Sequence, residues 1–367
     1  MRAFPRDSPQ THGGQLRKVA AQYELLAGRL TDFSANINPE GPPASVLTAI
    51  RRALEDPTTL MAYPDLELAE LKQAISVSGG VRKENVAVAN GFVPLLEAAL
   101  RLLKIKRCLL PVPSFSEYRR TLENADIAVT PIQLIPAEKF RYEPDAIVKA
   151  LLNHSCEAVL LANPQNPSGA LCDATTMREL VKLASQNGVS VLLDEAFIDY
   201  CSFDSLIQLA IVQANVIVFR SVTKFFSIPG LRVAYAVGHP SNVEAMNRFI
   251  APWPLTSFAT DAVCAALLDK KFAETSRNGN ERQRLFLEQH LAQLGIATYP
   301  SSANFLLLRF PETIDVNLLW ERMIVEEQIV LRLCANFEGL ADGHLRIAVR
   351  SEKENMRLVE GLKRVLS

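Results

Sequence analysis

The sequence predicts an α/β protein: a large domain with a mainly parallel central sheet, plus a small α+β domain. The chain has 367 residues, more than the roughly 250–300 at which a single hydrophobic core stops growing. Between residues 86 and 237, apolar strands of about five residues alternate with helical patterns, as in a sheet covered on both faces. A different pattern follows later in the chain. We therefore expect a large domain at 44–256 and a small domain made of 1–43 and 257–367.

The N-terminal region is expected to be mostly irregular. A short helical pattern follows His12-Gly13-Gly14, and the stretch 32–43 is rich in Asn, Pro and Gly. That density predicts a specific irregular path rather than regular structure. Two amphipathic helices are expected next, at 45–54 and 66–75, because their apolar residues recur with helical spacing.

Polar residues follow the predicted strands of the large domain. The strands are expected at 86–89, 107–110, 127–132, 158–162, 189–193, 216–219 and 233–237. Asn90-Gly91, Asn166, Asp194 and the stretch from Ser221 to Lys224 come after four of them. Sheets of this kind bind ligands beyond the carboxyl ends of their strands, so we expect these residues to form one site. The helix after Gly91 also offers free amides and a dipole to an anion.

The last third of the chain predicts the small domain. Its elements are expected as a helical stretch at 257–294, a strand at 305–310, a helix at 316–327, strands at 329–333 and 345–349, and a terminal helix from Lys353.

Composition excludes several classes of protein. Hydrophobic residues make up 49% and charged residues 22%, and the net charge is -1, which argues against a nucleic-acid or acidic-membrane partner. No apolar stretch approaches the roughly 20 residues of a membrane span, and the first nine residues lack the apolar core of a signal peptide. The six cysteines and the isolated histidines have no metal-ligand spacing, so no metal site and free thiols are expected. Cytoplasm is the expected location.

Lys224 is the leading catalytic candidate. It follows a buried-type strand and precedes two phenylalanines, so desolvation should lower its pKa and make it a Schiff-base nucleophile. A lysine that merely ends a strand, in a non-catalytic binding protein, is the simpler alternative. Ser221-Val222-Thr223-Lys224 also matches the Ser-x-x-Lys of acyl enzymes, but their Ser-Asp-Asn and Lys-Thr-Gly elements are absent from the sequence. Dinucleotide and phosphate-loop motifs are absent as well.

A pyridoxal-phosphate enzyme needs an imine lysine, a carboxylate for the pyridine nitrogen, a phosphate cup and an aromatic face for the ring. Asp194 ends a buried strand, where a carboxylate is costly, so a cationic partner is expected. Ser221, the amides after Gly91 and the guanidinium of Arg232 can form the cup.

Three motifs carry a family resemblance. Asn-Pro-x-Asn-Pro-x-Gly at 163–169, Asp-Glu-Ala at 194–196 and Ser-x-x-Lys…Gly-Leu-Arg at 221–232 occur in one order and spacing. With them the chain resembles, over nearly its whole length, the class I/II aminotransferases of the fold-type I pyridoxal-phosphate enzymes. The resemblance implies the fold-type I transferase fold and pyridoxal 5'-phosphate as cofactor. It also implies an amino-acid substrate and a homodimer with shared active sites.

The resemblance also implies roles for single residues. Lys224 would be the Schiff-base lysine and the proton carrier at Cα, Asp194 would pair with the pyridine nitrogen, and Asn166 would bond the phenolic oxygen. Phe115 would stack on the ring. The phosphate would be held by Asn90, Gly91, Phe92, Ser221 and Arg232, together with Tyr63 of the neighbouring subunit.

Two positions depart from the family pattern. Phe197 stands where many aminotransferases have a tyrosine that donates to the phenolic oxygen. Phe92 stands where a small polar residue often follows the phosphate glycine, so that contact is expected to use backbone amides only.

Two branches of the family compete. Tyr63 in Tyr-Pro-Asp, and Arg332 with Arg346, resemble histidinol-phosphate aminotransferase; Arg332 would receive the substrate phosphate and Arg346 the carboxylate. His12-Gly13-Gly14 and the stretch 32–43 are similar to the cobalamin-pathway branch, which includes threonine-phosphate decarboxylase, although Gln15 replaces an expected asparagine. His12, and Asn36 within that stretch, are therefore substrate candidates. We expect a reaction at Cα of a phosphorylated or anionic amino acid. Decarboxylation is favoured and transamination is the alternative, because the sequence does not set which Cα bond lies perpendicular to the ring.

Overall fold

The computed structural model describes residues 12–201 and 205–367; the first nine residues, for which no signal peptide is expected, lie outside these ranges. The strands are β1 Thr31–Asp32, β2 Val86–Ala89, β3 Arg107–Val112, β4 Ala128–Gln133, β5 Ala158–Ala162, β6 Ser190–Asp194, β7 Val216–Ser221, β8 Ala234–Gly238, β9 Ala297–Thr298, β10 Phe305–Arg309, β11 Ile329–Val330, β12 Arg332–Leu333 and β13 His344–Ala348. The α-helices are α1 Leu16–Gln22, α2 Ala44–Glu55, α3 Thr58–Met61, α4 Ala69–Gly79, α5 Phe92–Leu103, α6 Ser116–Asn124, α7 Pro144–Asn153, α8 Ala174–Gln186, α9 Ile207–Ala210, α10 Val222–Phe225, α11 Pro240–Asn247, α12 Ser257–Leu268, α13 Lys270–Gln293, α14 Val316–Val325 and α15 Glu352–Leu366. Short 3-10 helices lie at Ala27–Arg29, Lys83–Asn85, Pro136–Glu138, Ile198–Tyr200 and Pro229–Leu231.

A seven-stranded sheet forms the centre of the large domain, in the order β2-β8-β7-β6-β5-β3-β4. Six of its seven strands run in the same direction, and β8 is antiparallel to both of its neighbours. The prediction of a mainly parallel sheet is confirmed. Register aligns Ala162 with Asp194 and Asp194 with Phe219, so the polar residues after β5, β6 and β7 meet at one edge.

Both faces of this sheet are buried, which explains its uninterrupted apolar strands. Val159 and Leu161 of β5 belong to the core on one face, whereas Ala158 and Leu160 belong to the core on the other. Each fully buried valine or leucine contributes about 1.5–3 kcal/mol through removal from water. Burial on both faces therefore fixes the positions of the strands and of the residues at their carboxyl ends.

The small sheet has the order β12-β13-β10-β9 and is antiparallel. The N-terminal strand β1 pairs in parallel with β11, with Thr31 opposite Ile329 and Asp32 opposite Val330. Tyr23 and Phe33 share a core with Leu306 and its neighbours. The N-terminal segment is thereby fastened to the C-terminal part of the chain. The domain limits given above stay a prediction.

Two predicted elements are divided in the structure. The helical stretch at 257–294 breaks at Asp269, whose carboxylate accepts from the backbone N–H of Phe272 at 3.0 Å and starts α13. The strand predicted at 329–333 separates into β11 and β12, which belong to different sheets.

None of the six cysteines, all of which lie in the described ranges, forms a disulfide. Within residues 12–201 and 205–367, no helix has the length and apolar character needed to cross a bilayer, and no three His, Cys, Asp or Glu side chains cluster as metal ligands would.

Candidate functional site

Lys224 lies just after β7, in the single turn α10. Its Nζ donates to the Oγ of Ser221 at 3.2 Å, and that oxygen also lies 2.8 Å from the Oγ1 of Thr223. Burial lowers the pKa of the Lys224 ammonium, against the opposing charge of Asp194, and the charge of Arg232 lowers it further. The amine is thus shifted toward the neutral form, which is the nucleophilic one.

Asp194, the last residue of β6, is 7% exposed. Its Oδ2 accepts from the hydroxyl of Tyr118 at 2.6 Å and its Oδ1 accepts from the N–H of Ala196 at 2.9 Å. Burial raises the pKa of Asp194, while the Tyr118 hydrogen bond and the charge of Lys224 lower it. The expected cationic partner is Lys224, whose charge acts on Asp194 without a hydrogen bond. The side chain that donates a hydrogen bond to Asp194 is the neutral hydroxyl of Tyr118.

The first turn of α6 makes three contacts from three consecutive residues. Glu117 Oε1 lies 3.1 Å from Nε2 of His12, Tyr118 bonds Asp194, and Arg119 Nε donates to Glu338 at 2.8 Å. Sequence reasoning missed Tyr118 and Arg119. The available signal for Tyr118 was its place three residues after Phe115, on the same side of the chain at the start of a helix.

Phe115 precedes this turn and is held among aromatic rings. Its ring centroid lies 5.5 Å from that of Tyr118 and 6.0 Å from that of His12, both edge to face. Such pairs favour one ring orientation.

The expected phosphate residues meet at the start of α5. Gly91 has a φ of 93°, and a Cβ placed there would lie 3.0 Å from Nη2 of Arg232. The backbone conformation favours glycine, and a side chain there would press on the guanidinium of Arg232. The ring of Phe92 lies 5.2 Å from that of Phe219, which leaves its backbone N–H as the polar group. Asn90 is exposed.

Arg346 and Arg332 lie opposite each other on β13 and β12. Arg346 Nη1 donates to Oδ1 of Asn166 at 2.6 Å, and its buried Nε has no hydrogen-bond partner. Burial lowers the pKa of Arg346 to about 10, and the charge of Arg332 adds to the effect. Arg332 donates to the carbonyl of Leu333 at 2.6 Å and to Asn336 at 2.7 Å. Two neighbouring buried guanidiniums favour an anion between them.

The N-terminal segment contacts Arg346 through the backbone of Ser34. The N–H of Gly14 donates to Oγ of Ser34 at 2.9 Å, and the carbonyl of Ser34 accepts from Nη2 of Arg346 at 3.4 Å. Asn36 is 6% exposed, and its buried Oδ1 has no hydrogen-bond partner. Asn36 lies two residues after Ser34, whereas His12 contacts Glu117 and the ring of Phe115. The substrate roles of His12 and Asn36 stay a prediction.

Phe197 and Tyr63 each lie beside another aromatic ring. Phe197 is buried, and its ring lies 5.0 Å from that of Phe305, which in turn lies 5.1 Å from Cζ of Arg346. Phe197 therefore supports the arginine indirectly through an apolar contact. Tyr63 is 81% exposed, and its ring centroid lies 4.8 Å from that of Trp253. Its contact with the phosphate of a neighbouring subunit stays a prediction.

The chain is similar to known proteins over nearly its whole length. The model of the family "Aminotransferase class I and II" matches residues 29–362. The chain is 32% identical to threonine-phosphate decarboxylase from Salmonella typhimurium over 359 residues, which are 97% of this chain and 96% of that protein. It is 31% identical to histidinol-phosphate aminotransferase 2 from Archaeoglobus fulgidus over 342 residues, 92% and 93% of the two chains. The crystal structure of the histidinol-phosphate aminotransferase from Clostridium acetobutylicum has a TM-score of 0.84 at 27% identity, covering 91% of this chain and 98% of that one.

Proposed function

The chain belongs to the class I and II aminotransferase family, and from that premise we propose a pyridoxal-phosphate enzyme acting at Cα of a phosphorylated amino acid. The reaction we favour is decarboxylation of a substrate of the threonine-phosphate type. The observation that carries the proposal is the contact between Arg346 and Asn166. It joins the paired anion-binding arginines to a residue expected at the cofactor ring.

The residues present fit the cofactor. The buried amine of Lys224 is shifted toward neutrality, as covalent attachment of an aldehyde requires. Asp194 is a buried carboxylate that a protonated pyridine nitrogen would complement. Gly91 leaves space beside the guanidinium of Arg232 and the start of α5, which suits a phosphate. Phe115 would supply the aromatic face.

When bound, pyridoxal phosphate withdraws electrons from Cα of an attached amino substrate. Asp194 would keep the ring nitrogen protonated, and Tyr118 orients its carboxylate. Lys224, held by Ser221, would deliver the proton that Cα gains when its bond to the carboxyl carbon breaks and carbon dioxide leaves. Arg346 would bind the substrate carboxylate and Arg332 the substrate phosphate.

Transamination is the second candidate. The match to histidinol-phosphate aminotransferases and the pairing of Arg332 with Arg346 favour it. The two reactions differ in which Cα bond stands perpendicular to the ring, the bond to hydrogen or the bond to the carboxyl carbon.

One assay separates the two reactions. Purified protein is given threonine phosphate and followed for carbon dioxide, and separately given a 2-oxoglutarate acceptor and followed for glutamate. Carbon dioxide without glutamate supports the decarboxylase, whereas glutamate without carbon dioxide removes it.

The cofactor has its own test. The wild-type protein should be yellow, and the imine absorbance should vanish in Lys224→Ala. Lys182→Ala, which removes an exposed lysine of α8, is the matched control and should stay yellow. A wild-type protein that cannot be reconstituted with the cofactor contradicts the proposal.

We further propose a cytoplasmic homodimer in which Tyr63 reaches the phosphate of the neighbouring subunit. In support, the surface around Tyr63 is apolar: Leu60 is 73% exposed, Met61 85% and Trp253 45%. Large apolar side chains exposed together mark interaction surfaces.

A further inference from the structure

The segment Cys334–Leu340, here called the arginine loop, connects β12 and β13 and contacts both arginines. Cζ of Arg332 lies 5.3 Å from the ring centroid of Phe337, and Cζ of Arg346 lies 5.9 Å from it. Phe337 is 5% exposed. We propose that Phe337 is a positioning residue, which holds the two guanidiniums at the spacing that a phosphorylated amino acid requires. The inference deepens the proposed function and rests on it.

The two arginines need such a residue because they repel each other. Directly opposed residues on neighbouring antiparallel strands have Cβ atoms about 4.5–5.5 Å apart, and Arg332 and Arg346 are so opposed. An aromatic face attracts a guanidinium, and the attraction is stronger when water is excluded. One ring in reach of both charges therefore offsets part of their repulsion and limits where each can turn.

Each guanidinium also donates to a side-chain amide. Asn336, the neighbour of Phe337, accepts from Nη2 of Arg332 at 2.7 Å. Arg346 bonds Asn166 at 2.6 Å. Side-chain amides fix the directions of the guanidinium planes, and the ring fixes how far apart they lie.

The loop is anchored on the large domain. Glu338 accepts from Nε and Nη2 of Arg119 at 2.8 Å each, a two-point contact between α6 and the loop. The carbonyl of Gly339 accepts from Nε2 of Gln133 at 2.8 Å. Gly339 has a φ of 75°, and a Cβ there would clash with the carboxamide of Gln133, so glycine allows the backbone to approach this side chain.

The anchor connects the two halves of the site. Arg119, which holds the loop, follows Tyr118, which bonds Asp194. One turn of α6 therefore links the carboxylate of Asp194 to the arginine loop, and helps to set the distance between Asp194 and the two arginines. Loss of the Phe337 ring should weaken anion binding while leaving the residues around Lys224 in place.

The test uses inorganic phosphate as a probe, titrated calorimetrically into the cofactor-loaded protein. Phe337→Leu keeps apolar bulk but removes the ring, and should raise the dissociation constant for phosphate by roughly tenfold. Its KM for threonine phosphate should rise by a similar factor, while kcat stays within about twofold and the cofactor absorbance is unchanged. Phe337→Tyr, which restores an aromatic face, should bind phosphate as the wild type does.

Phe310→Leu is the matched control, because Phe310 is a buried phenylalanine of the same domain that packs in the core around Leu306. Wild-type phosphate affinity in Phe337→Leu overturns the proposal. So does an equal loss in Phe310→Leu, or a fall in kcat without a rise in KM. A yellow wild-type protein that does not bind phosphate overturns the proposed substrate class and this inference with it, whereas a colourless one overturns the proposed cofactor.

Discussion

The hydroxyl of Tyr118 donates to Oδ2 of Asp194 at 2.6 Å across 76 residues of sequence. This bond stabilises the ionised carboxylate that the ring nitrogen requires. A hydrogen bond to a charged group contributes about 1.5–3 kcal/mol, so Tyr118→Phe should weaken cofactor binding roughly tenfold or more. Titration of the cofactor-free protein, followed by absorbance, measures the change. Tyr142→Phe is the control, because it removes a buried hydroxyl that bonds the backbone of Ala162. Unchanged affinity in Tyr118→Phe contradicts the role.

Arg346 and Arg332 should differ in what they recognise. Arg346→Lys loses the guanidinium that donates to Asn166 from Nη1 and to the carbonyl of Ser34 from Nη2. It should raise KM roughly 30-fold for amino acids with or without phosphate. Arg332→Lys should raise KM for the phosphorylated substrate alone. Steady-state kinetics with threonine phosphate and with an unphosphorylated amino acid give the comparison. Arg309→Lys, an exposed change in β10, should alter neither value; an equal effect of both active-site variants on the two substrates contradicts the assignment.

His344 should make the protein less stable in mild acid. It is 6% exposed, and its Nδ1 lies 2.8 Å from the carbonyl of Ala341. Burial lowers the pKa of His344 below its ordinary value of 6.5, and the charge of Arg309 contributes. The unfolded chain therefore takes up this proton first, so the stability is complete above about pH 6.5 and is lost as the pH falls through the folded pKa.

Urea unfolding at about pH 7 and about pH 5 tests this. In His344→Gln the free energy of unfolding should fall less between the two values than in the wild type. His154→Gln, at an exposed position after α7, is the control. An identical fall in wild type and His344→Gln shows that another group is responsible.

Tyr63 should act in the neighbouring subunit. In a hybrid of a Lys224→Ala subunit with a Tyr63→Ala subunit, one of the two sites contains both a native lysine and a native tyrosine from across the interface. Mixing the two inactive or weakened variants should therefore restore activity. If Tyr63 serves its own subunit, no native site forms and the mixture stays as weak as its components.

The central sheet could be predicted closely because its strands are buried on both faces. The strands predicted at 86–89 and 158–162 agree with β2 and β5 in both limits. The other five differ by one or two residues at their ends, where the side-chain pattern carries little information. The break at Asp269 was missed because the helical pattern continues through it. The division between β11 and β12 depends on partners far away in sequence, which no local pattern contains. The fold class and the family are confirmed.

The candidate site also contains residues that the sequence predicts and residues that it does not. Motifs identify Lys224, Asp194 and Asn166, and the structure brings them to one edge; which residues touch the cofactor stays a prediction. Tyr118 and Phe337 were not predicted, because each acts through a contact made only after folding. Arg346 was predicted as a carboxylate ligand, whereas its bond to Asn166 became visible only in three dimensions.

The turn of α6 that carries Glu117, Tyr118 and Arg119 also limits where the chain can accept insertions. Successive residues of a helix point about 100° apart, so the contacts with His12, Asp194 and Glu338 surround the helix on three sides. A single residue inserted before α6 would rotate all three side chains away from their partners at once. Insertions should therefore be accepted after this helix far more readily than before it.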